Sequence, residues 1–441
     1  MAVVNWSELP DLAAVALLAS AFASVARRSQ TPVSGLWLTG WIMIAVHFGA
    51  FLFLNAQGKW GYLAVTVGLA ALTWAGVLFM WASVPYRRES SSRWILIALL
   101  AANTAYIGVI NADPIPMWAL RPAAAMFGLL PLAITLASLR RFNHPLRWIM
   151  VSVHVALSIF LLAVQSRPGG ADLAMNAVLF TVYIGCTLHF WYMYRRGTAG
   201  AFITISGFLA WAFVFVVAPV QQAIFPAIHI ESEVWNLPKY VVAVGMILLL
   251  LENQIEHNKY LALHDDLTGL PNRRLFQDRL ANALERARRT DAQAGLLVID
   301  LDRFKHVNDS LGHHVGDLLL QRVATKFSAR VRRSDTVART GGDEFSVILE
   351  EPASRDEALH VGQSLIQLLN EPIQLGQHTV RIGASVGIAV FPHDAPDMET
   401  LCIQADLRMY DAKHSSLQTI EPLTPAEAEA RAAFQYQEQA S

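Results

Sequence analysis

The chain has 441 residues and a formal net charge of −1, with 54% hydrophobic and only 16% charged residues, well under the roughly 25% charged of an ordinary soluble protein. Up to Leu251 there are 14 basic and 7 acidic residues, and beyond it 20 basic and 28 acidic. An apolar, basic first part joined to an acidic part of ordinary composition excludes a single soluble domain and a disordered chain, and the acidic balance argues against a nucleic-acid binder.

Apolar stretches run over about 9–26, 35–54, 61–83, 94–112, 118–138, 147–165, 172–194, 200–224 and 237–251. Each approaches the roughly 20 residues that carry a helix across a bilayer core, so residues 1–251 read as an all-α polytopic membrane domain of about nine spans. Basic residues gather at Arg27-Arg28, at Arg87-Arg88 with Arg93, at Arg140-Arg141 with Arg147, and at Arg195-Arg196. The intervening loops carry acids such as Asp113, Asp172, Glu231 and Glu233. Alternation of this kind places the basic loops in the cytoplasm, the N-terminus outside and the C-terminus inside. Only Glu8 and Asp11 lie near the start; a cleavable leader needs a positive n-region, so the first span reads as a retained helix.

Three histidines fall inside spans: His47, His154 and His189. They have no paired spacing for haem or copper, which favours neutral rings hydrogen-bonded to neighbouring helices over a metal site. Trp60, Trp94, Trp118 and Trp235 sit near span ends and read as an interfacial belt. The span prolines Pro122, Pro131 and Pro219 do not form the matched pairs that a transporter's two halves show. The two cysteines, Cys186 and Cys402, lie in different parts, which excludes a disulfide framework.

Residues 252–263 read as a helical connection running out of the last span, with no Gly/Ser linker. A seam through Leu248, Leu251, Ile255, Asn258 and Ala262 makes two heptads with a polar member, short of the three or four that argue a coiled coil.

From Asp265 to about Lys413 the pattern turns α/β, the mark of one layered domain. LLVID (296–300) reads as a buried strand, 335–350 as a hairpin and SVGIAVFP from Ser385 as a further strand, with helices over 273–288 and 315–331. Asp300 ends the first strand, and Gly341-Gly342-Asp343-Glu344 turns between apolar runs as a hairpin tip does. Glycines at 341 and 342 permit close approach by a ligand. If the strands are neighbours, Asp300 and Asp343 meet at one edge, where paired carboxylates suit Mg²⁺ with phosphate oxygens. Phe304-Lys305 just beyond offers backbone N–H groups and an ammonium to phosphates. Asn308 and Asp317 supply the mixed donor and acceptor that a purine edge needs. These residues point to a metal-dependent nucleotidyl transferase.

Five segments then carry a resemblance: HDDLTGLPNRRLF (264–276), IDLDRFKHVNDSLGHHVGD (299–317), RRSDTVARTGGDEF (332–345), SVGIAVFP (385–392) and ADLRMYDAK (405–413). In order and spacing they resemble the GGDEF family of bacterial diguanylate cyclases, over residues 264–420. The resemblance implies an α/β fold like the nucleotidyl-cyclase and polymerase palm, and condensation of two GTP to cyclic di-GMP with release of pyrophosphate. It implies that Asp300, the carbonyl of Leu301, Asp343 and Glu344 hold Mg²⁺, with Mn²⁺ able to replace it, and that Asp343 is the base for the 3′-hydroxyl. It places Lys305 and Lys413 on phosphates, Asn308 and Asp317 on guanine, and Phe304, His313, Gly341 and Gly342 in the same nucleotide pocket. Arg332 and Asp335 match the family's inhibitory product site. One GTP per domain implies a homodimer, and the whole implies a cyclase in the bacterial inner membrane, with no nucleic-acid partner.

Two features depart from the family. After Lys413 the chain reads HSSLQTIEPL in place of a Gly-Arg-Asn run, so Leu417 falls near a missing basic contact, and Thr340 replaces a bulky residue. Residues 421–441 read as a disordered tail, with no phosphodiesterase domain expected after it. The competing reading is a catalytically idle domain that binds cyclic di-GMP as a receptor.

Overall fold

The computed structural model describes residues 4–29, 32–82, 90–112, 115–137, 147–165, 167–194, 197–351 and 354–418. The expected tail, Leu417's side chain and the arginine pairs at 87–88, 140–141 and 195–196 lie outside what is described. The chain divides into two compact units, Met1–Glu256 and His257–Ser441.

The first unit is helical: α1 (Leu9–Ser29), α2 (Pro32–Phe51), α3 (Lys59–Ala82), α4 (Ser90–Ile110), α5 (Met117–Ala137), α6 (Arg147–Val164), α7 (Gly170–Met193), α8 (Ala199–Ile224) and α9 (Ser232–Leu263). Nine helices thus stand, among the described residues, where nine spans are expected. Seven are long and apolar enough to cross a membrane, while α5 and α6 offer shorter apolar stretches, Met117–Ala133 and Trp148–Val164. Large apolar side chains face outward, among them Leu17 and Phe202 at 73% exposed and Trp118 at 83%. In water such a surface would be one extended sticky patch; in lipid it is the ordinary exterior.

Inside, aromatic rings replace a water-driven core. Tyr183 stacks on Trp211 with centroids 4.0 Å apart, and Trp37 on Phe190 at 5.5 Å. The Tyr183 hydroxyl donates to the Leu72 carbonyl at 2.9 Å and the Cys186 thiol to Gly76 at 3.3 Å, tying α7 to α3. One of the three span histidines meets a neighbouring helix as expected, and two meet carbonyls of their own helices. His47 Nδ1 meets the Gly68 carbonyl at 2.9 Å on a neighbouring helix; His154 and His189 meet the carbonyls of Met150 and Gly185 four residues back, at 2.8 Å each.

Helices α8 and α9 cross in backbone contact. A Cβ on Gly245 would sit 2.6 Å from Thr204 N, and one on Gly200 2.6 Å from Leu249 N. Small residues at a crossing let two helices approach without lipid between them. Thr198 caps α8 by accepting from Ala201 N at 3.2 Å, and Glu252 of α9 adds a second acceptor, 3.1 Å from Gly200 N. A carboxylate there also suits the positive end of the helix dipole. α9 runs unbroken for 32 residues to Leu263, as the absence of a flexible linker predicts.

The second unit is α/β. It holds α10 (Arg273–Thr290), β1 (Ala294–Leu301), α11 (Phe304–Leu311), α12 (His313–Arg330), β2 (Thr336–Arg339), β3 (Glu344–Glu350), α13 (Arg355–Asn370), β4 (Ile373–Leu375), β5 (His378–Val380), β6 (Ala384–Phe391) and α14 (Met398–Gln418). Four strands form an antiparallel sheet in the order β2-β3-β1-β6, and β4-β5 is a small separate hairpin. β1 is central and buried along its whole length, which is why AGLLVIDL shows no polar alternation. Leu297, Ile299, Phe345 and Val347 face α12 and α13; Leu296, Val298, Ile348 and Ala389 face α10 and α14.

One close approach fixes α14. A Cβ on Gly387 of β6 would lie 1.9 Å from the Ala405 carbonyl and 2.3 Å from Met409 N. Both are backbone atoms that cannot rotate away. Gly387→Ala is therefore expected to cost about 2–3 kcal/mol by overpacking, lowering the thermal midpoint of this unit by roughly 5–10 °C. Scanning calorimetry of the purified chain in detergent checks this; an unchanged midpoint would mean α14 yields freely.

Candidate functional site

Register builds the site. β1 pairs with β3 so that Asp300 stands opposite Glu344. Opposed residues in an antiparallel pair share a face, and this is the face covered by α14. Asp343 precedes β3 by one residue at the tip of the turn, and alternation sends it to the other side. It lines a cavity of about 290 Å³ with Phe304, Lys305, Asn308, His313 and Asp317, closed by Arg339 and Gly342. Glu344 lines a second cavity, of about 640 Å³, between α10 and α14. One turn thus feeds carboxylates to both sides of the sheet's end.

The sequence expectation that the two strands are neighbours holds. Leu301 N donates to the Asp343 carbonyl at 3.3 Å. Asp302 is anchored beside them, its N–H 3.0 Å from the Gly383 carbonyl and its Oδ1 accepting from the Ser385 hydroxyl at 2.8 Å. Arg303, at φ 57°, bends the chain from β1 into α11, so the first N–H groups of that helix, at Phe304 and Lys305, stand at its unpaired, positive end.

Asp300 is 6% exposed, and its Oδ1 accepts from Lys413 Nζ of α14 at 2.7 Å. Burial pulls the Lys413 ammonium down, but the bond to Asp300 and the charges of Asp300, Asp343 and Asp302 outweigh it and hold it above the usual lysine value. Lys413 thus contacts one acid, Asp300, and lies in the field of two more. No group of three or more His, Cys, Asp or Glu among the described residues encloses an ion by itself. A metal held here completes its shell with phosphate oxygens and water, which is how Mg²⁺ binds beside one or two carboxylates. The donor set fits it.

Two glycines serve the turn differently. A Cβ on Gly341 would meet Glu344 Oε2 at 2.5 Å, so the bare backbone leaves room for that carboxylate to fold back, while Gly342 faces open space. Arg339 grips the turn: its Nε and a terminal nitrogen donate to the Gly342 carbonyl at 3.1 and 2.7 Å. Its other terminal nitrogen forks onto both oxygens of Asp265, at 3.0 and 3.1 Å. Burial pushes the Asp265 carboxyl up, yet the Thr268 hydroxyl and N–H together with Arg339 hold it below the usual carboxylate range. Asp265 and Arg339 lie 74 residues apart and carry no role in the sequence reading. The only signal for them is their place inside two of the five quoted segments.

In the close approach of α11 and α12, a Cβ on Gly316 would sit 1.9 Å from Asn308 Oδ1; glycine there is what lets Asn308 lie beside Asp317 at one cavity. Arg332 and Asp335 stand apart from it, before β2. Asp335 accepts from Arg332 N at 2.9 Å and from Glu350 N at 3.2 Å, while the Arg332 guanidinium pairs with Glu357 of α13 at 2.5 Å. The two side chains hold neighbouring backbone and a neighbouring helix rather than each other.

Comparison with known proteins finds relatives of the second unit. Residues 262–418 match the family model for the diguanylate cyclase GGDEF domain. Over 156 residues the chain is 43% identical to diguanylate cyclase TpbB of Pseudomonas aeruginosa, covering 35% of this chain and 36% of that one. Over 190 residues it is 43% identical to the bifunctional diguanylate cyclase/cyclic di-GMP phosphodiesterase MucR of the same organism, covering 39% of this chain and 27% of that one. The crystal structure of the TpbB GGDEF domain is 42% identical, with a TM-score of 0.33, over 34% of this chain and 92% of that one. The chain spans between about a quarter and just over a third of the length of these curated relatives. Through residues 262–418 it belongs to the GGDEF family.

The Asp265–Arg339 pair makes a pH prediction. A carboxyl whose folded value is depressed stabilises the fold above its unfolded value near 4 and loses that contribution as pH falls through the folded value. Asp265→Asn is therefore expected to lower the thermal midpoint at pH 7, and the gap from the parent protein should narrow as pH drops below about 4. A gap that stays constant down to the acid limit would count against the ion pair.

Proposed function

We propose that this GGDEF-family chain is a membrane-anchored diguanylate cyclase that condenses two GTP into cyclic di-GMP. In this reading residues 1–251 are a sensory bundle, 252–263 its helical connection and 264–420 the cyclase domain. The bundle lies in the bacterial inner membrane, its N-terminus periplasmic and the cyclase domain in the cytoplasm. The observation that carries it is the cavity at the tip of β3. Residues from 304 to 343 in sequence, of the types a guanine nucleotide needs, line one space of about 290 Å³.

The roles follow from chemistry. Guanine presents two N–H donors and a carbonyl acceptor on one edge; the Asp317 carboxylate takes the first and the Asn308 amide donates to the second. Phe304 and His313 wall the pocket. Lys305 and the opening N–H groups of α11 hold triphosphate charge. Mg²⁺, or Mn²⁺, held by Asp300, the Leu301 carbonyl, Asp343 and Glu344 supplies charge neutralisation at the triphosphate. Lys413 holds Asp300 in the unliganded chain and contacts phosphate once nucleotide arrives. Asp343 accepts the 3′-hydroxyl proton; that oxygen bonds to the α-phosphorus of the second nucleotide, and the bond to pyrophosphate breaks. Repeated with the roles exchanged, the step gives one cyclic dinucleotide and two pyrophosphates. Each domain has one such cavity, so the active species is a homodimer with two half-sites facing. Product returning to Arg332 and Asp335 inhibits, the guanidinium leaving Glu357 to stack on guanine and fork onto phosphate.

Purified full-length protein in nanodiscs with GTP and Mg²⁺ should form cyclic di-GMP, resolved by chromatography. Asp343→Ala is expected to lower the rate at least about 100-fold, as removal of one transition-state charge partner does. Folded, dimeric protein that makes no product yet binds cyclic di-GMP would favour the receptor reading. Arg332→Ala should keep the initial rate and raise the product concentration needed for half-inhibition at least tenfold. Unchanged inhibition would remove the product site from these residues.

A further inference from the structure

The first unit buries a cation beside a cavity, and the mechanism above has no use for it. Lys239 of α9 is 6% exposed and lies seven residues, or about 10 Å, along the helix from its start. An ionisable side chain inside a span is costly to keep and marks a functional site by default. Its surroundings do not neutralise it by contact. Nζ donates to Asn236 Oδ1 and stands over two rings, 4.6 Å from the centroid of Phe48 and 5.9 Å from that of Trp211.

One neighbouring acid is already engaged. Asp11 of α1, 3% exposed, accepts from Asn236 Nδ2 at 2.5 Å and from the Tyr240 hydroxyl. Asn236 therefore stands between cation and acid, donating to one and accepting from the other. No ion pair of Lys239 is found among the described residues. An ammonium has three donors, and one is spent on Asn236.

Lys239 and Asn236 line a cavity of about 330 Å³ at the end of the bundle where α9 begins, walled by His47, Phe51, Trp211 and Phe215, with one acid, Asp172 of α7, also in its lining. That is within the size range of small-molecule sites, which pair apolar walls with few polar groups. His47 Nδ1 faces the Gly68 carbonyl at 2.9 Å and so carries the proton, leaving Nε2 as an acceptor when the ring is neutral.

We propose that this cavity is a ligand site for a small organic carboxylate with an aromatic or aliphatic body, its carboxylate on Lys239 and its body against Trp211 and Phe215. Amino acids and simple carboxylic acids share that chemistry. Binding draws Lys239 from Asn236 and so loosens the hold of Asn236 and Tyr240 on Asp11, which fastens α9 to α1. The regulatory half of this inference rests on the bundle controlling a cyclase; the binding half does not.

Calorimetric titration of the full-length protein in nanodiscs tests the site with three probes of like size. Phenylacetate and L-phenylalanine separate plain from zwitterionic carboxylates, and either or both should bind; phenethylamine, a cation, should not. Lys239→Met should weaken carboxylate binding at least tenfold, with Lys239→Arg retaining it. Val214→Trp, which fills the cavity and keeps the charge, should abolish it and guards against a misfolded Lys239 variant. Binding of phenethylamine as tight as phenylacetate, no binding by either carboxylate, or Lys239→Met binding like the parent overturns the site. Carboxylate binding that leaves cyclic di-GMP output unchanged keeps the site and overturns its regulatory half.

Discussion

The candidate site depends on the register of β1 against β3. Asp300 opposite Glu344 fixes which carboxylates share a face, which face α14 must cover, and where the glycine turn projects. A slip of one residue would send Asp300 into the apolar layer under α12 and bring Ile299 out beside Lys413. The register is held because both faces of β1 are buried, so any slip moves eight residues into the wrong layer at once. Burial of the strand and placement of the acids at its end are one constraint.

That constraint places the acids, but the shape of the turn needs more. Residues 340–343 join two strands that are themselves rigid, and Arg339 holds the Gly342 carbonyl from below. Arg339 is in turn fixed by Asp265, whose carboxylate is also bonded by Thr268. The turn is therefore positioned by a loop far away in sequence. Its cavity-lining Asp343 inherits its position from that loop.

Much of this is legible in the chain because the site residues sit in short, ordered segments, each of which forms one local element. A buried strand ending in an acid, a glycine pair between apolar runs and helices of the right period lead to β1, the β2-β3 hairpin and α12 without knowledge of contacts. The β4-β5 hairpin is not legible: its strands are three residues each, too short for any period to show. The Arg339–Asp265 pair is also hidden, because a surface arginine and a surface acid 74 residues apart look alike whether or not they meet. In the first unit the apolar windows show where helices lie and say nothing of which polar residues face inward. Lys239, Asn236 and Asp11 come from opposite ends of that unit, 225 residues apart for Asn236 and Asp11, and only folding joins them.

α9 belongs to both stories. Near its start Asn236 and Tyr240 bind it to α1; further along, Gly245 and then Glu252 fasten it to α8. At its end the Leu263 carbonyl accepts from Asn272 N at 2.9 Å and the Ala262 carbonyl from Asn272 Nδ2 at 3.0 Å. Asn272 caps α10, accepting from Arg274 N and Leu275 N, and its neighbour Pro271 accepts from Arg339 N at 3.0 Å. Asp265, two residues past the helix, holds the same arginine. A stiff helix with no glycine after Gly245 has little slack to absorb a displacement. Its last turn is thus bonded to Asn272, and Asp265 and Pro271 beside it hold Arg339, which in turn holds the carbonyl of Gly342, one residue from Asp343.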